Sequence, residues 1–292
     1  MTITQANEII RKYYDISMPT QEDDFQYIEA SEYIINETKD SDRMLHLGGW
    51  YYERKIFDLA LKYYELAAEY KNTDAYCALG YVWYYGRTGE RDYDKAFKYY
   101  SLAADAGDLE AAYKVADMYK NGYSVKQDYE KYKEIIEDLY DQVKYETRLF
   151  APVPQICIRL ARIRKEESDM REAYKLLTYA KNFLAQRLQY NHFFGDLTNM
   201  RWIISELYDI VAFDSDNFDV YDLFYILKEP HKVSFDFEGK TYIVESKIED
   251  DECVICFNDK WYRNIDDFFN KAYLKEYHLT EIYNYLDNFE VI

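Results

Sequence analysis

The sequence has few residues that break helices and few that cross-link a chain. Only 9 Gly and 4 Pro occur among 292 residues, which argues against a loop-rich or all-β protein and favours long helices with short connections. Its four cysteines, Cys77, Cys157, Cys253 and Cys256, are too few and too scattered for a disulfide framework. The composition is otherwise that of a folded protein, since 49% of the residues are hydrophobic and 31% are charged.

Positive charge is also in deficit. The chain has 36 Lys and Arg against 55 Asp and Glu, a formal net charge of −19, and the stretch from Ala212 onward has 8 against 19, a net of −11. Nucleic-acid binding needs a basic surface that displaces counterions, so we expect no nucleic-acid partner. Acidic surfaces keep proteins soluble and in some cases bind basic proteins.

Long hydrophobic runs are missing as well. No apolar run approaches the roughly 20 residues that span a bilayer, and residues 1–15, "MTITQANEIIRKYYD", follow a helical pattern without a signal-peptide core. We therefore expect a cytoplasmic bacterial protein without a membrane partner.

Motifs that carry chemistry are scarce. The one Cys-x-x-Cys, "CVIC" at 253–256, lies inside an apparent strand, where residues three apart point to opposite faces, so we expect both cysteines to be buried core residues. The four histidines are isolated in sequence, and no Walker loop, Gly-x-Ser-x-Gly or dinucleotide fingerprint is present. We expect no catalytic residues, no metal and no cofactor.

A short stretch of the sequence occurs twice in similar form. "KYYELAAEYKNTDA" at 62–75 returns 36 residues later as "KYYSLAADAGDLEA" at 98–111. The anchor residues recur in two further units, and in each of the four units a small residue follows an apolar one in the first of two predicted helices. These pairs are Leu47-Gly48, Leu79-Gly80, Val115-Ala116 and Leu160-Ala161. The shift from the second unit to the third is again 36 residues, whereas the first and fourth units have a loop four residues shorter.

Each unit is predicted to form two antiparallel helices. The small residue sits where the two helices approach closely, apolar residues at i, i+3, i+4 and i+7 form a buried stripe, and Asp92 and Asp128 suit helix N-caps. One such hairpin cannot bury its own apolar face, so neighbours must stack. The predicted units are 44–75, 76–111, 112–145 and 155–190, with capping helices at about 3–15, 24–38 and 196–211.

Residues 76–111, "YCALGYVWYYGRTGERDYDKAFKYYSLAADAGDLEA", combine a Leu-Gly step, a Gly-containing loop, Asp-Tyr-x-Lys-Ala and a Tyr-Tyr-x-x-Ala-Ala step. This stretch resembles the Sel-one-like repeat, a longer-looped relative of the tetratricopeptide repeat. The first and fourth units, with shorter loops, resemble the tetratricopeptide form, and the resemblance extends over roughly 40–185. It implies an α-α superhelix, a solenoid that serves as a protein-interaction scaffold, and names no partner.

The pattern changes near Lys232 from helical to alternating. Val233, Phe235 and Phe237 alternate with polar residues, and "EG" at 238–239, "EDD" at 250–252 and "ND" at 258–259 are turn signals. We expect an antiparallel β-meander followed by two short helices, "NIDDFFNKAYL" and "LTEIYNYLDNF". The predicted domains are thus a mainly α solenoid over 1–213 and a small acidic α+β domain over 214–292.

The first helix of each unit should present residues to the concave face at positions −5, −2, +2 and +5 from the repeat's apolar anchor. Tyrosine there provides a large contact area at a low entropic cost. The predicted partner-binding groove consists of Asp42, Leu45, Tyr52, Asp74, Tyr81, Tyr84, Glu110, Tyr113, Asp117, Lys120, Arg162 and Lys165.

The favoured function is a non-enzymatic adaptor that binds a protein or peptide in this groove. One alternative is an inhibitor or immunity-type protein whose acidic C-terminal domain covers a basic partner, which a bare acidic face would favour. Another is an enzyme with its chemistry in the C-terminal domain, which a clustered, buried pair of titratable residues there would favour.

Overall fold

The protein is described by a computed structural model that covers residues 1–190, 194–210, 223–249, 252–279 and 286–292. The helices are α1 (Ile3–Tyr14), α2 (Gln21–Thr38), α3 (Ser41–Glu53), α4 (Phe57–Glu69), α5 (Thr73–Tyr85), α6 (Tyr93–Asp105), α7 (Leu109–Asn121), α8 (Tyr129–Val143), α9 (Val153–Glu166), α10 (Met170–Leu188), α11 (Phe194–Ile210), α12 (Leu223–Ile226) and α13 (Ile265–Lys271). The strands are β1 (Lys232–Phe237), β2 (Lys240–Glu249), β3 (Glu252–Phe257), β4 (Lys260–Tyr262), β5 (Tyr273–Leu274), β6 (Tyr277–His278) and β7 (Asp287–Val291).

The chain forms two compact units, Met1–Leu139 and Tyr140–Ile292. The expected boundary between residues 213 and 214 lies outside the described residues and stays a prediction. The predicted capping helices over 3–15, 24–38 and 196–211 correspond to α1, α2 and α11.

In the first unit consecutive helices pack as hairpins, α1 with α2, α3 with α4 and α5 with α6, and each hairpin also contacts the next. Side-chain oxygens cap the helix starts as predicted. Asp92 accepts a hydrogen bond from the backbone N–H of Lys95 at 2.9 Å, and Asp128 accepts one from Lys131 at 2.9 Å. The predicted helical repeats are confirmed in this unit.

Small residues set the distance between the two helices of a hairpin. A Cβ added at Gly80 would lie 2.5 Å from Cδ1 of Tyr100, and one at Gly48 would lie 2.6 Å from Cδ1 of Tyr64. Real Cβ atoms do not come that close, so glycine is needed for the tyrosine ring to lie flat against the facing helix. The close contact predicted from the repeat is confirmed at both positions.

A hydrogen-bonded aromatic network joins α1, α2 and α3. The Tyr13 hydroxyl donates to Asp24 and accepts from Nε1 of Trp50 at 3.0 Å and from Nη2 of Arg54 at 2.8 Å. Arg54 also pairs with Asp24 at 3.2 Å and lies 3.7 Å from the centroid of the Trp50 ring. The N-terminal hairpin is thereby fixed to the first repeat through polar as well as apolar contacts.

In the second unit α10 packs between α9 and α11. The guanidinium of Arg187, 6% exposed, donates to the backbone oxygens of Leu149 at 3.0 Å and Ala151 at 2.8 Å. It also pairs with the buried Asp196 at 3.1 Å. One side chain therefore connects the segment before α9, helix α10 and helix α11.

The second unit also contains an antiparallel five-stranded sheet in the order β4-β3-β2-β1-β7. The predicted meander is confirmed, with Glu238 and Gly239 at φ 49° and 72° and Asn258 and Asp259 at 51° and 59° in two of its turns. Of the turn predicted at 250–252, residues 250 and 251 lie outside the described residues.

Helix α13 corresponds to the first of the two short helices predicted after the meander, and it packs Phe268 against Phe257 with ring centroids 5.7 Å apart. The helix predicted for "LTEIYNYLDNF" is wrong at its C-terminal end. Residues 280–285 lie outside the described part, and β7 pairs with β1, with Val291 opposite Val233. Pairing along the sheet outweighs the local helical pattern there.

Both cysteines of "CVIC" lie in β3, as predicted, but they are half-buried instead of core residues. Cys253 donates from Sγ to the backbone oxygen of Leu227 at 3.1 Å, whereas Cys256 lies opposite Trp261 of β4. The core below the sheet is made by aromatic side chains such as Phe235 and Phe257.

Candidate protein-binding surface

The residues of the predicted groove fall on four helices. α3 carries Asp42, Leu45 and Tyr52; α5 carries Asp74, Tyr81 and Tyr84; α7 carries Glu110, Tyr113, Asp117 and Lys120; α9 carries Arg162 and Lys165. The first ten lie in the first unit and the last two in the second.

Tyrosines of α3 and α5 form a continuous cluster. The ring centroids of Tyr52 and Tyr81 are 6.0 Å apart, those of Tyr81 and Tyr85 are 4.4 Å apart, and those of Tyr84 and Tyr85 are 5.0 Å apart. Tyr85 is 37% exposed, while the other three are half-buried. The repeat spacing therefore brings Tyr52, Tyr81 and Tyr84 together, and it adds Tyr85, which the positional rule had not selected.

Arg87 completes this cluster from the loop after α5. Its Cζ lies 5.9 Å from the ring centroid of Tyr52, 5.5 Å from that of Tyr81 and 5.3 Å from that of Tyr85. Its Nη2 donates to the Tyr81 hydroxyl at 3.4 Å, and this hydrogen bond raises the pKa of the guanidinium. Burial, with Tyr81 close by, raises the pKa of the Tyr52 hydroxyl. We call Tyr52, Tyr81, Tyr85 and Arg87 the Arg87 cluster.

Sequence reasoning missed Arg87 because it lies in a loop, outside the helical spacing that selected the other positions. The glycine before it, Gly86, was a sequence signal for a helix ending that could have pointed to Arg87. Gly86 ends α5 with φ 63°, and the N–H of Arg87 then bonds the carbonyl oxygen of Val82 at 3.0 Å. Because the chain reverses at this helix ending, the side chain of Arg87 lies against α5, where it contacts Tyr81 and Tyr85.

Tyr84 belongs to a second aromatic group toward the loops. Its ring centroid lies 5.6 Å from that of Tyr93 and 6.1 Å from that of Tyr123, and the last two rings stack at 4.3 Å. Burial, assisted by the negative charge of Asp117, raises the pKa of Tyr84 to about 12. The hydroxyl therefore stays protonated and can donate a hydrogen bond.

Tyr113 differs from its prediction as an exposed groove residue. It is 5% exposed, and its hydroxyl donates to Glu110 at 3.2 Å. The neighbouring Lys114 contacts the surface instead, with Nζ 3.5 Å from the Tyr85 hydroxyl and 5.6 Å from the centroid of that ring. The ring of Tyr113 is part of the packing beneath α7.

The remaining predicted positions of the first unit are spread along the helices. Asp42 is exposed and accepts a hydrogen bond from Nδ2 of Asn72 at 2.8 Å, and Leu45 is partly buried against the core. Asp74 is exposed in the first turn of α5, and Lys120 lies 4.9 Å from the ring centroid of Tyr132. The contacts of Asp42 and Lys120 are thus with residues outside the Arg87 cluster.

In the second unit the predicted basic positions are engaged with α11. Arg162 lies 4.1 Å from the ring centroid of Trp202, and Lys165 forms an ion pair with Glu206. Helix α11 is in turn linked to α13, because Arg201 pairs with Asp266. These cations therefore stabilise contacts inside their own unit.

A pocket of about 400 Å³ adjoins the Arg87 cluster, lined by Lys55, Ile56, Phe57, Asp58, Arg87 and Thr88. Phe57 also touches Tyr52, with ring centroids 5.2 Å apart. The tyrosine surface therefore continues into a concavity between the loop of the first repeat and the loop of the second.

Groups of side chains that could ligate a metal ion do not occur in the parts of the chain that the structure covers. Between residues 223 and 292 the buried polar side chains of the described segments are Ser234, Ser246 and His278. None of the described helices is both long and apolar enough to cross a membrane.

Comparison with known proteins finds a repeat family that part of the chain matches and a fold that it resembles. The model of the Sel1 repeat family matches residues 44–69, 73–108 and 109–131. The crystal structure of a Sel1 repeat protein from Oxalobacter formigenes matches with a TM-score of 0.50 at 20% identity, over 70% of this chain and 78% of that one. No curated protein matches the chain.

A second structure, a protective antigen of uropathogenic Escherichia coli with an SLR fold, has a TM-score of 0.48 at 17% identity. That match covers 74% of this chain and 51% of the antigen. Folds built from Sel1 repeats generally serve as scaffolds for protein–protein interaction and are generally non-enzymatic. The three matched segments coincide with α3–α4, with α5–α6 and with α7 and the start of α8. The resemblance drawn from the repeated stretch is therefore confirmed: residues 44–131 contain three segments that match the Sel1 repeat.

Proposed function

We propose that the protein is a non-catalytic adaptor that holds a protein or peptide partner on the surface made by α3, α5 and α7. The observation that carries the proposal is the Arg87 cluster, in which three tyrosines surround one guanidinium beside a pocket. Tyrosine and arginine are the residue types over-represented among the side chains that dominate binding energy at protein interfaces. The tyrosine side chain, with two rotatable bonds, also loses little conformational freedom on binding.

The predicted groove residues of this unit extend the proposed contact area on both sides of the cluster. Asp42 and Asp74 supply exposed carboxylates at the helix starts, and Lys120 supplies a cation near the end of α7. Polar residues at the rim of an interface set specificity and association rate more than affinity. Glu110 adds an exposed carboxylate in the first turn of α7 and accepts a hydrogen bond from the buried Tyr113.

We propose a cytoplasmic setting in a bacterium. Four free cysteines are consistent with a reducing compartment. The net charge of −19 weighs against nucleic acid as a partner and leaves protein as the class that the surface fits.

A photo-cross-linking experiment tests the proposal. Tyr85, 37% exposed on α5, is replaced by p-benzoylphenylalanine, and the matched control carries the same group at Leu102, 39% exposed on α6. We expect irradiation in the source cells to attach a discrete partner at position 85 and not at position 102. Equal labelling at the two positions, or labelling at 102 alone, contradicts the proposal.

A further inference from the structure

Arg87 is fixed in place by rings without having its charge neutralised. Three tyrosine rings lie within 6 Å of its Cζ, and such contacts orient a guanidinium while they leave its edge free to donate. Among the described residues Arg87 has no carboxylate partner, and its Nε is shielded from water without a hydrogen-bond acceptor. A guanidinium has five N–H donors, of which one is donated to the Tyr81 hydroxyl and another is within reach of the Tyr52 hydroxyl, so donors remain for a ligand.

The neighbouring cations strengthen this local positive charge. Lys55 lines the pocket next to Arg87, and Lys114 reaches the Tyr85 hydroxyl from α7. Within the described part of the chain neither of them pairs with a carboxylate. Asp58 is the one acidic residue of the pocket lining, so the cations outnumber it in a protein whose net charge is −19.

We infer that the partner segment bound at the Arg87 cluster is acidic, and that a carboxylate of that segment is bound by the guanidinium of Arg87. The inference rests on the proposed function and names the class of peptide. A planar carboxylate matches the fork of N–H donors on a guanidinium, and hydrogen bonds between charged groups are about twice as strong as neutral ones. Tyr52, Tyr81 and Tyr85 supply the contact area around this pair.

Charge complementarity decides between the classes of peptide. A strongly acidic protein would be expected to attract basic partners over its surface as a whole. At this site a Lys or Arg of the partner would instead meet Arg87 and Lys55, and like charges brought together at an interface are unfavourable. The carboxylate can belong to an Asp or Glu side chain or to a chain terminus, and both sources share the same chemistry.

The test begins with selection of short random peptides on the purified full-length protein. We expect the wild type to enrich peptides that carry Asp or Glu. Arg91→Gln, the matched control in the same loop, whose side chain is exposed and near the Tyr93 hydroxyl at 3.4 Å, should enrich the same peptides. Arg87→Gln should lose that enrichment. Selection of neutral or basic peptides by the wild type overturns the inference.

A double-mutant cycle then tests the pair directly. An enriched peptide and its Glu→Gln or Asp→Gln form are titrated against wild type, Arg87→Gln and Arg91→Gln by fluorescence anisotropy. We expect Arg87→Gln to weaken the acidic peptide roughly tenfold and to leave the neutral peptide unchanged. A peptide with an amidated C-terminus shows whether the terminal carboxylate is the one bound. Equal losses for the acidic and neutral peptides, or equal effects of the two arginine variants, contradict the inference.

Failure of this inference is distinguishable from failure of the proposed function. If a partner is cross-linked at position 85 but neither acidic peptide selection nor coupling to Arg87 is found, the surface binds a ligand of another class. If position 85 also gives no cross-link, the surface itself is not the binding site.

Discussion

At the scale of single residues, tyrosine has two distinct uses in this protein. Tyr64 and Tyr100 are buried against glycines of the facing helix and hold a hairpin together. Tyr81 and Tyr85 stand on the first helix of the second repeat and contact Arg87. The position in the repeat decides which use applies. A tyrosine on the second helix that faces the glycine of the first helix is buried, whereas Tyr85, at the end of a first helix, is exposed.

Two adjacent glycines of α3 allow the packing role to be tested within one helix. A Cβ at Gly48 would lie 2.6 Å from Tyr64 and 3.3 Å from the backbone oxygen of Ala60, whereas one at Gly49 would lie 3.9 Å from its nearest neighbour, the Tyr64 hydroxyl. We expect Gly48→Ala to lower the free energy of unfolding by about 1–3 kcal/mol through overpacking. Gly49→Ala should leave it unchanged or raise it by up to about 1 kcal/mol through helix propensity.

Urea denaturation followed by circular dichroism measures both variants. Equal stabilities for the two would show that the close approach of α3 and α4 does not depend on the missing side chain at position 48.

At the scale of elements, the sequence predicted what is local and periodic. The hairpins, their N-caps and the turn at Glu238-Gly239 all follow from residues near one another in the chain. The strand β7 could not be predicted in this way, because it depends on pairing with β1, which lies more than fifty residues earlier. Arg87 was missed for a related reason, since its role comes from rings on two different helices and not from its own neighbours.

Arg187 connects several elements, and no sequence pattern predicted this role. Its side chain connects Leu149, Ala151 and Asp196. Removing one partner of a buried ion pair leaves the other charge uncompensated, so we expect Arg187→Met to lower the free energy of unfolding of the second unit by about 3–5 kcal/mol. Arg171→Met, at an exposed position of the same helix, should change it by less than about 0.5 kcal/mol.

The double variant Arg187→Met with Asp196→Leu removes both charges and should recover part of the loss. Thermal or urea unfolding of the full chain checks all three variants. An Arg187→Met protein as stable as Arg171→Met would contradict the assignment of Arg187 as a structural link.

At the scale of the whole molecule, the two compact units have different contents. The first unit carries the Sel1 repeats and the Arg87 cluster, and the second combines three long helices with the five-stranded sheet. The cations predicted for the groove in the second unit, Arg162 and Lys165, are engaged with α11. We therefore propose that the partner binds to the first unit, while the independent folding of residues 214–292 stays a prediction.

The central claim, that the partner is held on the tyrosine surface, is tested most directly by measuring how tightly two double variants bind that partner. The partner used is the one recovered by cross-linking at position 85. Tyr81→Ala with Tyr85→Ala removes two rings of the Arg87 cluster, and Tyr70→Ala with Tyr174→Ala removes two exposed rings elsewhere, 47% and 39% exposed. We expect the first pair to weaken binding by roughly tenfold or more and the second by less than about twofold, with the circular-dichroism spectra of both unchanged. Equal affinities for the two double variants would contradict the assignment of the tyrosine surface of α3, α5 and α7 as the place where the partner is held.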